Sequence, residues 1–175
     1  TDYYNILKGL GSDAKDLNEI DGWPVLGLTG TTQRATRFVD IDLDGEKEII
    51  FATGTLIQAY NSKGEVMEGF PVIASTDPIQ GAPSIGNIDG DPELEIVVNT
   101  SFYGIRGEVI AFNHDGSQVS GMYASFPDGG PQKEPSLENL DEDPEMEIIT
   151  HIYDYPESIL YAFNSDGSNV TTSDG

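Results

Sequence analysis

The sequence predicts an all-β protein built from β-propeller blades of four antiparallel strands. Three observations predict it: an acidic phrase that occurs three times, a hairpin phrase that follows each occurrence, and β-branched runs that flank the loops between them. The acidic phrases are Ala35-Thr-Arg-Phe-Val-Asp-Ile-Asp-Leu-Asp-Gly-Glu-Lys-Glu-Ile-Ile-Phe51, Ala82-Pro-Ser-Ile-Gly-Asn-Ile-Asp-Gly-Asp-Pro-Glu-Leu-Glu-Ile-Val-Val98 and Glu134-Pro-Ser-Leu-Glu-Asn-Leu-Asp-Glu-Asp-Pro-Glu-Met-Glu-Ile-Ile-Thr150. Their loops start at residues 40, 87 and 139, which are 47 and 52 residues apart.

Each unit divides into four short strands. A β-rich run enters the acidic loop, and a β-branched run leaves it over Glu48 to Ala52, Glu95 to Asn99 or Glu147 to Ile152. A third strand ends in Gln58-Ala-Tyr-Asn-Ser-Lys-Gly64, Ile110-Ala-Phe-Asn-His-Asp-Gly116 or Tyr161-Ala-Phe-Asn-Ser-Asp-Gly167, where Asn and Gly suit a hairpin turn at positive φ. A final strand ends in an aromatic-Pro phrase, Gly69-Phe-Pro-Val72 or Ser125-Phe-Pro127. Four strands per roughly 40 to 50 residues is the period of a propeller blade, which buries its faces against neighbours.

The phrase Gly22-Trp-Pro-Val25 precedes the first complete unit, so residues 1–34 are read as the end of an earlier blade behind an N-terminal segment of no clear pattern. Trp23, in that closing phrase, is expected in the core. Blades are expected over 35–80, 81–130 and 131–175, the last lacking its closing strand. Propellers close with about four to eight blades. The roughly three and a half visible here call for further blades of the same polypeptide or a second copy to complete a partial or open ring.

Composition narrows the function. The net charge is −23 with only 8 Lys and Arg, which argues against nucleic acid and against an anionic membrane surface. No apolar run approaches the roughly 20 residues that span a bilayer, so no membrane insertion is expected. The absence of cysteine removes disulfide frameworks and thiolate chemistry. Of the 31 Asp and Glu, 14 fall in windows 40–49, 87–96 and 139–148. A solvated acidic surface would explain the total charge but not this placement.

The loops offer Asp40, Asp42, Asp44, the carbonyl of Glu46, and Glu48; Asn87, Asp89, Asp91, the carbonyl of Glu93, and Glu95; and Asn139, Asp141, Asp143, the carbonyl of Glu145, and Glu147. Hard oxygens at positions 1, 3, 5, 7 and 9 of a tight turn suit calcium, which takes about six to eight of them in irregular geometry. Magnesium prefers strict octahedra that keep water, and zinc would want His or Cys. About three Ca2+ ions are therefore expected. The first loop, with the most carboxylates, should bind tightest; Pro92 and Pro144 replace Gly45 in the other two, which must turn differently.

On these loops, and on Gly81-Ala82-Pro83, the units resemble the FG-GAP or VCBS-type repeats of integrin α-subunit propellers and of many secreted microbial proteins. The resemblance covers about residues 20 to 175, with Asn at position 1 and Pro at position 6 as departures. It implies structural calcium and an extracellular or cell-surface protein that works by adhesion or ligand binding.

No catalytic group is identified, and the expectation is a protein that is not an enzyme. His114 sits in a hairpin turn, and His151 precedes an aromatic insertion with Tyr153 and Tyr155. Phe102 and Tyr103 occupy the corresponding place one unit earlier, between second and third strands and so opposite the acidic loops. These four aromatics are candidates for a platform binding a protein or carbohydrate ligand. A second reading makes the chain a non-catalytic propeller segment of a secreted hydrolase or polysaccharide lyase. Asn99-Thr-Ser101 and Asn169-Val-Thr171 fit the N-glycosylation pattern.

Overall fold

The computed structural model describes residues 34–141, 143–154 and 156–170, together with Trp23, Val25 and Leu28. Among these residues there is no helix, and twelve strands form three four-stranded antiparallel sheets. The first sheet holds β1 (Arg37–Val39), β2 (Glu48–Thr53), β3 (Leu56–Tyr60) and β4 (Val72–Ile73) in sequence order. The second holds β5 (Ile79–Gly86), β6 (Glu95–Phe102), β7 (Arg106–Phe112) and β8 (Gln118–Phe126) in the same order.

In the third sheet β10 (Ser136–Glu138), β11 (Glu147–Asp154) and β12 (Glu157–Phe163) lie in order, and β9 (Gly130–Pro131) also pairs with β11. The strands β9 and β10 share one edge of β11 and match the two halves of β5, which is itself irregular between Gln80 and Ser84. Pro131 has no N–H to continue the ladder, so the equivalent strand breaks there. Most of 1–33 and all of 171–175 lie outside the described residues, and with them most of the expected N-terminal unit and the end of the third blade.

The sheets stack through apolar side chains that alternate along the strands. Ile96 and Val98 of β6 join Ile50, Ala52, Ile57 and Ala59 of the first sheet in one core cluster. Val97, between them, points the other way, into a cluster with Ile148 and Phe163 of the third sheet. Because β6 is covered on both sides, its Ile-Val-Val run is buried without alternation, as a strand sandwiched between layers must be. At its polar end Asn99 Nδ2 donates to Lys133 O and to Thr150 Oγ1, both at 2.8 Å, while Asn99 Oδ1 is buried without a partner. Asn99 is buried, so the pattern Asn99-Thr-Ser101 has no free amide to carry a glycan in this fold.

The three hairpin phrases form one turn. In each, the Gly N–H donates to the Asn carbonyl and the Asn N–H donates to the carbonyl after the Gly: Gly64 and Asn61 with Glu65, Gly116 and Asn113 with Ser117, Gly167 and Asn164 with Ser168. Only the glycines take positive φ, at 76°, 81° and 79°, and the asparagines do not. The aromatic-Pro phrase is placed differently in two sheets. Phe126 ends β8, but Phe70-Pro71 precedes β4, because Gly69 at φ 86° and the missing N–H of Pro71 interrupt the returning strand.

These turns also lock neighbouring sheets. A Cβ on Gly69 would lie 1.9 Å from Asp115 O, and one on Gly116 would lie 2.8 Å from Gly69 O. Gly121 and Gly167 repeat the contact between second and third sheets. Trp23 is half-buried rather than in the core, and its Nε1 donates to Ser62 O of the first turn at 3.1 Å. Gly69→Ala is therefore expected to cost about 2–4 kcal/mol in urea unfolding. Gly45→Ala, at φ 95° but facing open space, is expected to cost about 1 kcal/mol. Equal losses would show that the Gly69 contact yields freely.

Candidate functional site

Each acidic loop joins the first and second strands of its sheet and closes on the first residue of the second strand. Glu48, Glu95 and Glu147 are 1%, 1% and 2% exposed. Their Oε2 atoms accept the backbone N–H of loop position 2: Ile41 at 3.0 Å, Ile88 at 2.8 Å, and Leu140. Two further bonds recur in all three loops. The position 5 N–H donates to the position 3 carboxylate, and the position 7 N–H donates to the position 5 carboxylate. Alternating Asp residues thus wrap the backbone into a tight coil, as Asx turns do.

The turns differ as the proline substitutions predict. Loop one is left-handed at both Leu43 and Gly45, and the Gly45 N–H donates to Asp40 Oδ2 at 3.0 Å. In loop two positive φ falls on Gly90, two residues before Pro92, and its N–H donates to Asn87 Oδ1 at 2.9 Å. The Asn87 and Asn139 amides each donate to the position 5 carbonyl, Asp91 O and Asp143 O.

Carboxylate oxygens converge in each loop. Asp40, Asp42 and Glu48 form one group, Asp89, Asp91 and Glu95 a second, and Asp141, Asp143 and Glu147 a third, each with ligand atoms within 4.8 Å of one another. All three groups could hold a metal ion. Asp44 stands outside the first group. Among the described residues, three buried side-chain polar atoms lack a hydrogen-bond partner, and two of them, Asp40 Oδ1 and Glu95 Oε1, belong to these loops. An orphaned carboxylate oxygen beside two other carboxylates fits a cation.

Electrostatics agree. Burial pushes Glu95 up from 4.5 to about 7, with Asp89 and Asp91 adding like charge. Glu48 is raised by burial and then by Asp42, Asp44 and Asp40. Asp143 is raised by desolvation and by Asp141.

Adjacent loops are tied to each other. Leu94 N, between Glu93 and Glu95, donates to Ile41 O of loop one at 3.1 Å. Met146 N, between Glu145 and Glu147, donates to Asn87 O of loop two at 3.0 Å. The Glu145 carboxylate also lies against Gly90, where a Cβ would meet its Oε1 at 2.2 Å.

At the opposite end of the sheets, Phe102 and Tyr103 line a cleft of about 740 Å³ between the β6–β7 turn and the β4–β5 connection. Asp77, Gln80, Arg106 and Gln132 line it too. Tyr153 is not part of its wall, and Tyr155 lies outside the described residues. Sequence reasoning missed Asp77 and Arg106, which form a bidentate pair at 2.8 Å on both arms. They lie 29 residues apart with no motif linking them.

Comparison with family models, with curated proteins and with solved structures returns no match. Among the described residues no helix is long and apolar enough to cross a membrane.

In chelator-treated protein, Glu95 holds its proton to a higher pH folded than unfolded. Its contribution to stability is therefore full below pH 4.5 and lost as pH rises to about 7. Glu95→Gln is expected to gain on the wild type across that interval and to keep a constant advantage above it. A gap independent of pH, in urea unfolding, would contradict the assignment.

Proposed function

We propose that this chain is a calcium-stabilised, non-enzymatic binding module of the β-propeller type, akin to FG-GAP or VCBS repeats, whose three acidic loops hold structural Ca2+. The observation that carries the proposal is the buried, unpartnered Glu95 Oε1 facing Asp89 and Asp91. A carboxylate so buried is costly without a counterion, and an all-oxygen donor set of irregular geometry suits calcium over zinc or magnesium. The asparagines at positions 87 and 139 and the carbonyls at 46, 93 and 145 complete the donor sets.

The ions act as struts. Each would offset most of the charge of its triad and stiffen the entry to the second strand, leaving the far end of the sheets to meet a protein or carbohydrate ligand in adhesion. Millimolar calcium fills even weak loops of this kind, which favours an extracellular or cell-surface setting. Among the described residues there are three open four-stranded sheets, fewer than a closed propeller needs, so the reading includes further blades of the same polypeptide, or a second copy, to complete the ring.

Calorimetric titration of chelator-treated protein is expected to find three bound Ca2+, one for each triad. Saturation at 100 times the dissociation constant should add about 2.7 kcal/mol per site, seen as a rising melting temperature. Asp42→Ala, Asp89→Ala and Asp141→Ala should each remove one ion. Because Met146 N bonds Asn87 O, Asp141→Ala is also expected to weaken loop two several-fold, more than it weakens loop one. No heat of binding and an unchanged melt would reduce the loops to acidic turns.

A further inference from the structure

The cleft opposite the acidic loops combines features that the calcium loops do not use. Its tip is the turn Phe102–Ile105, closed by Ile105 N donating to Phe102 O at 2.9 Å. Both central residues have positive φ, 53° at Tyr103 and 72° at Gly104, the pattern of a type I′ turn. Asn, Asp or Gly normally takes the first of these positions, and a tyrosine there is strained. Tyr103 is 88% exposed and lines the cleft. An aromatic ring kept outside at the expense of backbone comfort points to a role in binding.

The shelf around it is held rigid. Ser101 Oγ accepts the Gly104 N–H at 3.0 Å and donates to Arg106 O at 3.1 Å. Phe102 meets Tyr103 edge to face, with ring centroids 4.9 Å apart, and carries the Arg106 guanidinium 5.0 Å above its own ring. Arg106 Nε and Nη2 are committed to Asp77, which is 5% exposed, and Nη1 remains for a ligand. Gln80 Nε2 donates to Pro78 O and to Ser101 O, which leaves the Gln80 side-chain oxygen as an acceptor.

Charge selects among ligands. The Asp77–Arg106 pair is formally neutral, and the chain carries −23, so an anionic ligand gains no net attraction and meets long-range repulsion. The remaining chemistry is one open aromatic face beside fixed planar donors and acceptors, in a cleft of small-molecule size. That combination matches a pyranose ring, whose C–H face stacks on an aromatic while its hydroxyls accept and donate in the ring plane.

We infer that this cleft binds a neutral carbohydrate, with Tyr103 as the stacking ring and Arg106, Gln80 and Gln132 as hydroxyl partners. The inference rests on the reading of the chain as a calcium-stabilised binding module. The test is saturation-transfer difference NMR on the calcium-loaded full chain with maltose, cellobiose, lactose and mannobiose, and with glucuronate as the charged control.

At least one neutral disaccharide should receive transfer at its ring protons, and glucuronate should not. Tyr103→Phe should bind as the wild type does. Tyr103→Asn, which suits the turn, should melt at a higher temperature and yet bind at least tenfold more weakly. Arg106→Ala should also weaken binding at least tenfold.

Absence of transfer from every neutral disaccharide, or binding indifferent to Tyr103→Asn, would overturn the inference, as would binding of glucuronate alone. If three ions bind and the protein melts cooperatively but no sugar is taken, the cleft inference fails and the calcium reading stands. If no calcium binds, it is the module reading that fails.

Discussion

A single glutamate at the start of each second strand connects the chemistry of the loop to the architecture of the sheet. Glu48, Glu95 and Glu147 are buried at the root of β2, β6 and β11, and each draws the N–H of loop position 2 back onto the strand. The bond bends the chain through the acidic loop and aligns β1, β5 or β10 for pairing. It also places a carboxylate where water is excluded, which is tolerable only with donors or a cation at hand. The loop geometry and the charge problem therefore arise from the same residue, and the neighbouring aspartates answer both.

The sheets are joined at four levels, and each level uses a different physical device. In the middle, apolar side chains from successive sheets share two clusters centred on the two faces of β6. At the acidic end, backbone hydrogen bonds from Leu94 and Met146 chain one loop to the previous one. At the periphery, hairpin turns press against glycines of the preceding sheet, most tightly at Gly69, where a Cβ would lie 1.9 Å from Asp115 O. Toward the far end a side-chain bond links sheets instead, Asn99 Nδ2 of β6 donating to Thr150 Oγ1 of β11. Backbone contacts at one end and polar side-chain contacts at the other thus hold the stack by different means.

Much of this was legible in the residues. The starts of β2, β6 and β11 coincide with Glu48, Glu95 and Glu147 as the pattern requires, since a β-branched run after a polar coil can hardly begin elsewhere. The three Asn-x-x-Gly turns form identically, because glycine is needed at the one position of positive φ. Period-2 reading was weaker at the closing strands. The aromatic-Pro phrase ends β8 but precedes β4, and the flanking Gly69 decides the difference.

The sequence by itself determined the local features: an all-β chain, three acidic coils with a fixed order of oxygens, and a hairpin after each. These depend on contacts a few residues apart, such as Asp44 N to Asp42 or Glu48 to Ile41, and short spacing in sequence carries them directly. Only the tertiary structure decided which oxygens converge, leaving Asp44 outside a group that Asp91 and Asp143 join in the other loops. It alone brought Asp77 to Arg106, linked Met146 to Asn87, and separated Tyr153 from the cleft that Phe102 and Tyr103 line. These relations join residues distant in sequence, and the stacking of one sheet on the next sets them.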